Sequence, residues 1–328
     1  MDALSDILRS IRLSSSVYFR SDFASPWGME MDRSRYAQFH IVVRGQCWLF
    51  TDTLETPLAL SGGDVVILPQ GDAHWIADHP NHPRLPGSQV LEAIRQHRTP
   101  FGEGPTSTTL VCGHFELDRD LDHPFIRALP HLMYIQGRGL HQLTWLETAT
   151  NVIIQETDSG RPGAEVVVDR LAEVLFVQAL RTYIEQSNVT QGYFAALKDP
   201  FISQALGLIH AQPEAPWKLA TLARTVGLSR SAFANRFKAS VGLPALRYLT
   251  DWRMYKAKQL LQRTDMSQLA IAEQVGYSSE AAFNRAFKRK YSQTPGAIRK
   301  VGRHFRGRNN LGPRGDKAAS PIPTPPPA

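Results

Sequence analysis

Two short segments of the chain carry similar polar side chains at similar spacing. Amide and guanidinium groups in such segments can hydrogen-bond the edges of bases, whereas ammonium and hydroxyl groups can bind phosphates. In the first segment the candidate residues are Ser229, Arg230, Ser231, Asn235, Arg236 and Lys238. In the second segment they are Ser278, Ser279, Glu280, Asn284, Arg285 and Lys288. These are the residue types of a nucleic-acid interface.

Each polar segment follows an apolar repeat of helical spacing that stops at a glycine. The apolar residues are Leu219, Leu222, Ala223 and Val226 in the first copy and Leu269, Ile271, Ala272 and Val275 in the second. Gly227 and Gly276 can reverse the chain because glycine adopts positive φ without a Cβ clash. Ser229 and Ser278 are expected to cap the helix that follows. The pattern predicts two helix-turn-helix units, each with a polar recognition helix.

Paired phenylalanines give each recognition helix an inner face. Phe233 and Phe237 are four residues apart, as are Phe283 and Phe287, so each pair shares one side of its helix. The two glycines lie 49 residues apart and the phenylalanine pairs 50 apart. The second copy therefore has one extra residue just after its turn.

Charge distinguishes this module from an ordinary helical hairpin with a solvated face, which is the simpler interpretation of a single copy. Residues 200–300 contain 16 Lys and Arg against 5 Asp and Glu, although the whole chain has a net charge of only +7. Positive charge concentrated on a duplicated module favours binding to the phosphates of DNA.

The same residues resemble the AraC/XylS-type bacterial transcription regulators. The similar segments are Phe-Ala-Asn-Arg-Phe-Lys at 233–238, Tyr-Leu-Thr-Asp-Trp-Arg-Met from Tyr248, and the run from Val275 through Thr294-Pro295. The resemblance implies a sequence-specific regulator that binds double-stranded promoter DNA, with RNA polymerase as a further partner. A helix from about Pro244 to Gln262 would span nearly 30 Å, so both recognition helices could enter successive major grooves.

Position within each recognition helix predicts what each side chain contacts. We expect Ser231 and Asn235 in the first copy to meet base edges. In the second copy we expect the same of Glu280, Asn284 and Arg285. Lys238 and Lys288, at the far ends of the helices, are expected to bind phosphates.

Residues 1–125 have the features of a small β-barrel or jelly roll. Short apolar runs such as Phe39 to Val43 and Val65 to Leu68 are separated by glycine, proline and aspartate. The stretch from Gly63 through Pro69-Gln-Gly71 to His74 resembles the second cupin motif, in which a strand presents a histidine to the barrel interior. We therefore predict a cupin-like N-terminal domain.

The metal ligands of an enzymatic cupin are incomplete in this sequence. His40 is followed by Ile41 and Val42, so a His-x-His pair is missing, and His74 alone completes a poor ligand set. We expect structural or effector-contacting histidines, no metal and no cofactor; the alternative is a metal-dependent cupin enzyme fused to a DNA-binding module. The resemblance to the sensory half of one AraC subgroup implies a small-molecule effector. The residues expected to contact it, on the barrel strands, are Phe39, His40, Trp48, His74 and Trp75; the simpler alternative is that the aromatic residues among them are plain core.

The two cysteines, Cys47 and Cys112, each lie in an apolar strand. One interpretation is that both are inert buried thiols. The other is that one of them, Cys112 first, senses an oxidant, which requires a lowered pKa and access to solvent.

Helical spacing follows the predicted barrel. One stripe contains Leu143, Leu146, Thr150, Ile153 and Ile154, and a second contains Val167, Leu171, Val174, Leu175, Gln178 and Leu180 to Ile184. The resemblance implies that this pair, within residues 126–190, forms a homodimer; the simpler alternative is that it caps the barrel. Residues 191–198 are the expected linker, 199–300 the double helix-turn-helix domain, and 301–328 a disordered basic and proline-rich tail.

Length and composition agree with an α+β chain of two domains. The 328 residues exceed what one compact core usually serves, and 42% of them are hydrophobic. The sequence has no apolar run long enough to span a membrane and no secretion signal at its start, and two cysteines are too few for a disulfide framework. We expect a cytoplasmic protein that does not bind membranes. The histidines at 79, 82 and 97 are expected in a long solvated loop.

Overall fold

The computed structural model describes residues 3–11, 13–117, 123–137, 144–159, 161–186 and 192–300. Contacts divide the chain into two compact units. The first contains Met1–Gly207 together with Asn235–Gly242, and the second contains Leu208–Ala234 together with Leu243–Ala328. The domain boundaries predicted from the sequence stay a proposal.

Two five-stranded sheets form most of the first unit. In chain order the strands are β1 (Ser14–Ala24), β2 (Gly28–Met31), β3 (Ala37–Arg44), β4 (Gln46–Thr51), β5 (Leu58–Ser61), β6 (Val65–Leu68), β7 (His74–Ala77), β8 (Leu85–Pro86), β9 (Thr106–Glu116) and β10 (Met133–Ile135). The first sheet has the order β1-β9-β3-β6-β10, and the second has the order β5-β4-β7-β2-β8. Most neighbouring strands run antiparallel; β2 and β8 are parallel.

The core of this unit lies between the two sheets. Because side chains alternate along a strand, every second residue of each strand points inward. The buried cluster joins residues of both sheets: Phe19, Phe23, Trp27, Met29, Val42, Cys47, Leu49, Leu60, Val66, Leu68, Ile76, Val90, Leu110 and Cys112. His40 of β3 lies directly opposite Cys112 of β9 in the register, so both side chains start from the same face of the first sheet.

The predicted helical pair is present as α4 (Thr144–Ser159) and α5 (Ala164–Gln186). The α5 helix packs against β1 and β10 of the first sheet, and its Phe176 lies 5.0 Å from the ring of Phe115. The helix therefore covers the sheet, as the simpler alternative predicts. Leu143 and the side chain of Leu146 lie outside the described residues.

Two expectations about connecting segments differ from the structure. The predicted long loop contains a helix, α2 (Gly87–Arg95), which buries Val90. His79 and His97 are exposed as expected, but His82 donates from Nδ1 to Asp78 at 2.6 Å.

The expected linker, residues 191–198, contains the helix α6 (Tyr193–Lys198). Tyr193 and Phe194 are buried, and both rings contact Phe125 of the short helix α3 (Pro124–Ala128). The two buried aromatic side chains hold the segment in place. The polar residues around it made the segment look like a linker in the sequence.

The second unit is helical. The helices of the chain from residue 200 onward are α7 (Pro200–Ala211), α8 (Leu219–Thr225), α9 (Arg230–Val241), α10 (Ala245–Arg263), α11 (Gln268–Gln274) and α12 (Glu280–Tyr291); α1 (Ala3–Ser10) precedes the sheets. The core around α10, α11 and α12 includes Met254, Ala257, Leu261, Ile271, Ala272, Val275, Phe283 and Phe287. Two leucines of this unit, Leu246 of α10 and Leu269 of α11, are 41% and 47% exposed.

The predicted fold class is confirmed: a sheet-rich N-terminal region precedes an all-helical one. The tail at 301–328 lies outside the described residues. Among the described helices, none combines the length and apolar character needed to cross a bilayer.

Candidate nucleic-acid interface and sensor core

The first recognition helix, α9, has one buried face and one exposed face. Phe233 and Phe237 are fully buried. At about 100° per residue, Asn235 lies opposite this pair, with Ser231 and Lys238 beside it. All three are exposed, as is Arg230. The hydroxyl of Ser229 accepts from the backbone N–H of Ala232 at 3.3 Å, which is the predicted cap.

The second recognition helix, α12, begins one residue later than predicted. Its cap is Ser279, which accepts from the backbone N–H of Ala282 at 3.3 Å. Ser278 is exposed and precedes the cap, so it is the extra residue of the second copy. With the caps aligned, Arg285 occupies the place of Asn235 and lies opposite the buried Phe283 and Phe287.

Two predicted DNA contacts have other surroundings in the structure. Arg236 pairs with the carboxylate of Asp199 at the start of α7, and its guanidinium lies 5.0 Å from the ring centre of Phe201. Asn284 is partly buried, and its buried Oδ1 has no hydrogen-bond partner among the residues that the structure describes. Neither side chain is presented like Asn235 or Arg285.

The helical geometry adds one residue that the sequence reasoning missed. Arg289 is exposed and follows Arg285 by four residues, so it lies on the same face of α12. Glu280 and Lys288 are exposed as well. The four-residue spacing between Arg285 and Arg289 could have identified Arg289 from the sequence.

A chain of buried polar groups crosses the core between the two sheets. The Sγ atom of Cys112 lies 2.9 Å from Nδ1 of His40. Nε2 of His40 lies 2.8 Å from Nε2 of His74, which belongs to the second sheet. Nδ1 of His74 lies 2.9 Å from the backbone oxygen of Asp72. The structure thus joins the two predicted histidines to one predicted cysteine.

The carbonyl at the end of this chain determines where each proton lies. Because a carbonyl oxygen only accepts, Nδ1 of His74 donates to it, and Nε2 of His74 must accept from His40. Nδ1 of His40 then accepts from the thiol of Cys112. Each hydrogen bond is satisfied with every group uncharged.

Burial keeps the chain neutral. Burial, together with the nearby His74, lowers the pKa of His40 well below its usual value. Burial lowers the pKa of His74 to about 4, against a smaller opposing effect of its hydrogen bond to Asp72. Burial raises the pKa of Cys112 well above its usual value, and Cys47 adds to the effect.

The two conditions for an oxidant-sensing cysteine are not met in this conformation. Cys47 and Cys112 are free thiols and both are buried. Burial also raises the pKa of Cys47, with Asp64 and Asp78 contributing. The reactive thiolate is therefore disfavoured at both positions.

The aromatic residues predicted to line the effector site do not join the two histidines. Phe39 alternates with His40, and its ring stacks on Phe115 at 4.7 Å on the side of the sheet that α5 covers. Cys47 and His74 point into the core between the sheets. Their strand neighbours Trp48 and Trp75 therefore project from the other face of the second sheet. Trp75 stacks there against Phe50 and under the guanidinium of Arg84.

Within the described residues, no group of three or more His, Cys, Asp or Glu side chains is arranged to hold a metal ion. Cys112 contacts one ring nitrogen of His40 and His74 contacts the other. The three side chains therefore form a linear chain and do not converge on one point.

Both regions of the chain are similar to known proteins. A solved AraC-type DNA-binding regulator from Chromobacterium violaceum is 30% identical, with 31% of this chain and 92% of that chain covered and a TM-score of 0.30. Residues 2–185 match the family described as Cupin, and residues 222–301 match the family described as helix-turn-helix domain.

Similarity to whole regulators extends over most of the sequence. The HTH-type transcriptional regulator AlkR of Acinetobacter baylyi is 33% identical, with 90% of this chain and 98% of the relative covered. A putative AraC-like transcription regulator of Streptomyces lividans is 30% identical, with 92% and 98% covered. The chain therefore belongs to the AraC-like family of helix-turn-helix transcription regulators with a cupin domain, and it acts on double-stranded DNA.

Proposed function

We propose that this regulator reads DNA with both recognition helices and changes its activity when a small molecule binds in its cupin domain. Exposed polar side chains opposite the buried phenylalanines support the DNA-reading part. In α9 these are Ser231, Asn235 and Lys238; in α12 they are Glu280, Arg285, Lys288 and Arg289. Arg230 and the caps Ser229 and Ser279 lie at the helix starts, where backbone N–H groups favour phosphate.

The observation that carries the sensing part is the hydrogen-bonded chain from Cys112 through His40 and His74. Burying polar groups in an apolar core costs free energy unless they are hydrogen-bonded, and this chain holds a set of hydrogen-bonding groups that a polar group of a ligand could join. The surrounding residues are apolar and the chain itself is neutral. A charged ligand would lose its hydration here without a counter-charge, so the effector we propose is small and uncharged.

Thermal unfolding of the full-length protein with a panel of uncharged metabolites tests this proposal. We expect an effector to raise the melting temperature of the wild type, since it binds the folded state only. The shift should fall sharply in His40→Asn and Cys112→Ser. Cys47→Ser is the matched control, because Cys47 is a buried thiol of the same core outside the chain.

Two outcomes would change this assignment. If both chain variants kept the wild-type shift, the effector would bind elsewhere. If oxidants rather than metabolites shifted the melting temperature, and Cys112→Ser abolished the shift, the signal would be redox in nature.

A homodimer formed through α5 is also part of the proposal. Val166, Val167 and Val174 are 62%, 41% and 50% exposed, and Val167 and Val174 are one heptad apart. Exposed valines at this spacing form an apolar stripe along one side of α5, and such a stripe can pack against the same helix of a second copy.

Sedimentation experiments test this interface. The double change Val167→Glu and Val174→Glu should yield monomers. Leu246→Glu, at an exposed apolar position of α10, should leave the dimer intact; a dimer in both variants would contradict this interface.

We also propose that the protein catalyses no reaction, is located in the cytoplasm and has RNA polymerase as a further partner. The support for this is the family: the relatives described above are named transcription regulators.

A further inference from the structure

Arg253, near the middle of α10, joins two loops of the helical unit. Its Nε donates to the backbone oxygen of Pro213 at 2.6 Å, and its Nη2 donates to that of Ala215 at 2.8 Å. Pro213 and Ala215 belong to the loop between α7 and α8, which leads into the first helix-turn-helix. One edge of the planar guanidinium group thus holds the loop that leads into the first repeat.

The same guanidinium lies against the turn of the second repeat. Its central carbon is 5.9 Å from the ring centre of Tyr277. The backbone of Gly276 approaches so closely that an added Cβ would lie 2.8 Å from Nη2 of Arg253 and 2.7 Å from the oxygen of Glu214. Three segments therefore meet at Arg253: the loop before α8, the connecting helix and the turn before α12.

The first repeat has no equivalent junction at its own turn. Gly227 occupies the same place as Gly276, yet an added Cβ there would meet no atom of the described residues within 4 Å. The junction is consequently not a by-product of the helix-turn-helix pattern. It ties the second repeat to the approach of the first.

The chemistry of arginine suits this position. Burial lowers the pKa of Arg253, whereas Tyr277 and Glu214 raise it, and a guanidinium stays charged in proteins. Charge-assisted hydrogen bonds are about twice as strong as neutral ones. The planar group fixes two acceptors in one orientation, which an ammonium group cannot do.

We infer that Arg253 is a positioning residue that fixes the separation and rotation of the two recognition helices. It would thereby set the spacing between the two half-sites that the protein accepts. The inference rests on the proposed reading of DNA by both helices. Each added base pair rotates one half-site by about 35° relative to the other, so a rigid pair of helices should tolerate few changes in spacing.

The test uses full-length protein and a duplex that the wild type selects from a random library. This duplex is prepared with its own spacing between half-sites and with one base pair inserted or deleted. We expect the wild type to lose about tenfold or more in affinity for the altered spacings, equivalent to about 1.4 kcal/mol. Arg253→Gln should bind the original duplex more weakly and discriminate among the three spacings by about twofold or less.

Arg247→Gln is the matched control. It removes an arginine from the same helix, at a position exposed to solvent and paired with Asp251, so it should keep the wild-type discrimination. Arg253→Lys keeps the positive charge but not the planar group that holds two acceptors. It should discriminate less among the three spacings than the wild type does, and it should lose less stability than Arg253→Gln. This variant carries the test if Arg253→Gln does not fold.

The outcomes separate this role from simpler ones. If the Arg253 variants weakened binding to all three duplexes equally, Arg253 would serve stability alone and the inference would be overturned. The same holds if they kept the wild-type preference. If the wild type itself ignored spacing, the reading of DNA by both helices would fail first, and the role of Arg253 with it.

Discussion

The two helix-turn-helix repeats have helices of the same lengths, 7 and 12 residues in each copy, but their surroundings differ. The turn of the first repeat is open, whereas the turn of the second packs against Arg253 and Glu214. The first recognition helix is followed by Gly242 at positive φ and the second by Ser292. A repeated pattern thus fixes local structure, and the neighbours of each copy decide how firmly it is held.

Alanine substitution of the two turn glycines should show this difference most strongly. Both have positive φ, +76° at Gly227 and +83° at Gly276, and alanine in that region costs about 1–2 kcal/mol. At Gly276 the added methyl group also collides with Glu214 and Arg253, and overpacking costs a further 1–3 kcal/mol or so. We expect Gly276→Ala to destabilise its repeat by about 3 kcal/mol and Gly227→Ala by about half as much.

Native-state hydrogen exchange measures the two repeats separately, because it reports the opening free energy of α8 and α9 apart from that of α11 and α12. Equal losses in the two variants would show that the packing at Gly276 adjusts without cost. The asymmetry between the turns would then have no energetic meaning.

Base readout tests whether the recognition helices remain equivalent despite these surroundings. Asn235 and Arg285 occupy matching positions, and each should contact one base pair, adenine for the amide and guanine for the guanidinium. Asn235→Ala and Arg285→Ala should each remove about 1–3 kcal/mol of discrimination at a single position, in different half-sites. Lys288→Ala should weaken binding to all sequences alike.

Selection of preferred duplexes by each variant measures the effect. If both variants preferred the wild-type sequence while still binding, the groove-facing assignment of Asn235 and Arg285 would be wrong. A change in only one half-site would show that one repeat dominates sequence recognition.

Sequence reasoning succeeded where a local pattern determines the structure. The buried faces of Phe233 and Phe283 follow from spacing alone, as does the cap at Ser229. The sequence reasoning failed where the second repeat has one extra residue between its turn and its recognition helix. That residue moves the start of the helix by one position, so Ser278 was predicted as the cap that Ser279 provides. The sequence reasoning also could not show that Arg236 pairs with Asp199, because that contact joins residues 37 positions apart.

The cupin domain shows the same limit more clearly. The motif ending at His74 predicts the strand and the inward histidine, but not the hydrogen bonds to His40 and Cys112. Those depend on the register of β3 against β9 and on the approach of the second sheet. Trp48 and Trp75 were chosen as aromatic residues of barrel strands, and alternation from the neighbouring inward residues could have assigned both to the other face.

The ends of the recognition helices provide a reciprocal test of smaller size. Ser292 has φ of +56° and Gly242 has φ of +79°. Serine is strained in this region and glycine is not. Ser292→Gly should therefore stabilise the second repeat by about 1 kcal/mol, and Gly242→Ser should destabilise the first by a similar amount. The second change introduces no steric conflict with the part of the chain that the structure describes, since an added Cβ at Gly242 meets none of its atoms within 4 Å.

Urea denaturation of both variants, compared with the wild type, measures the two shifts. A neutral Ser292→Gly variant would show that the serine side chain makes contacts that offset its strain.

The smallest expected effect comes from the ion pair of Arg236. The second repeat has no such pair, because Ala286 occupies the position that matches Arg236. Arg236 lies on the flank of α9 beside the exposed face, where a long side chain can reach the phosphates at the edge of the groove. In the free protein it pairs with Asp199, and an exposed pair contributes about 0.2–1 kcal/mol. Asp199→Asn should free the guanidinium for one phosphate, strengthening DNA binding a few-fold at low salt.

The logarithmic slope of affinity against salt should then steepen by about 0.9, as expected for one added phosphate contact. Arg236→Ala should cancel this gain when combined with Asp199→Asn, so the double variant should behave like Arg236→Ala alone. Asp251→Asn is the control, because it removes a carboxylate that pairs with Arg247 and Lys290 instead. If Asp199→Asn left the slope unchanged, Arg236 would not exchange Asp199 for phosphate, and the two repeats would differ only in how they are packed.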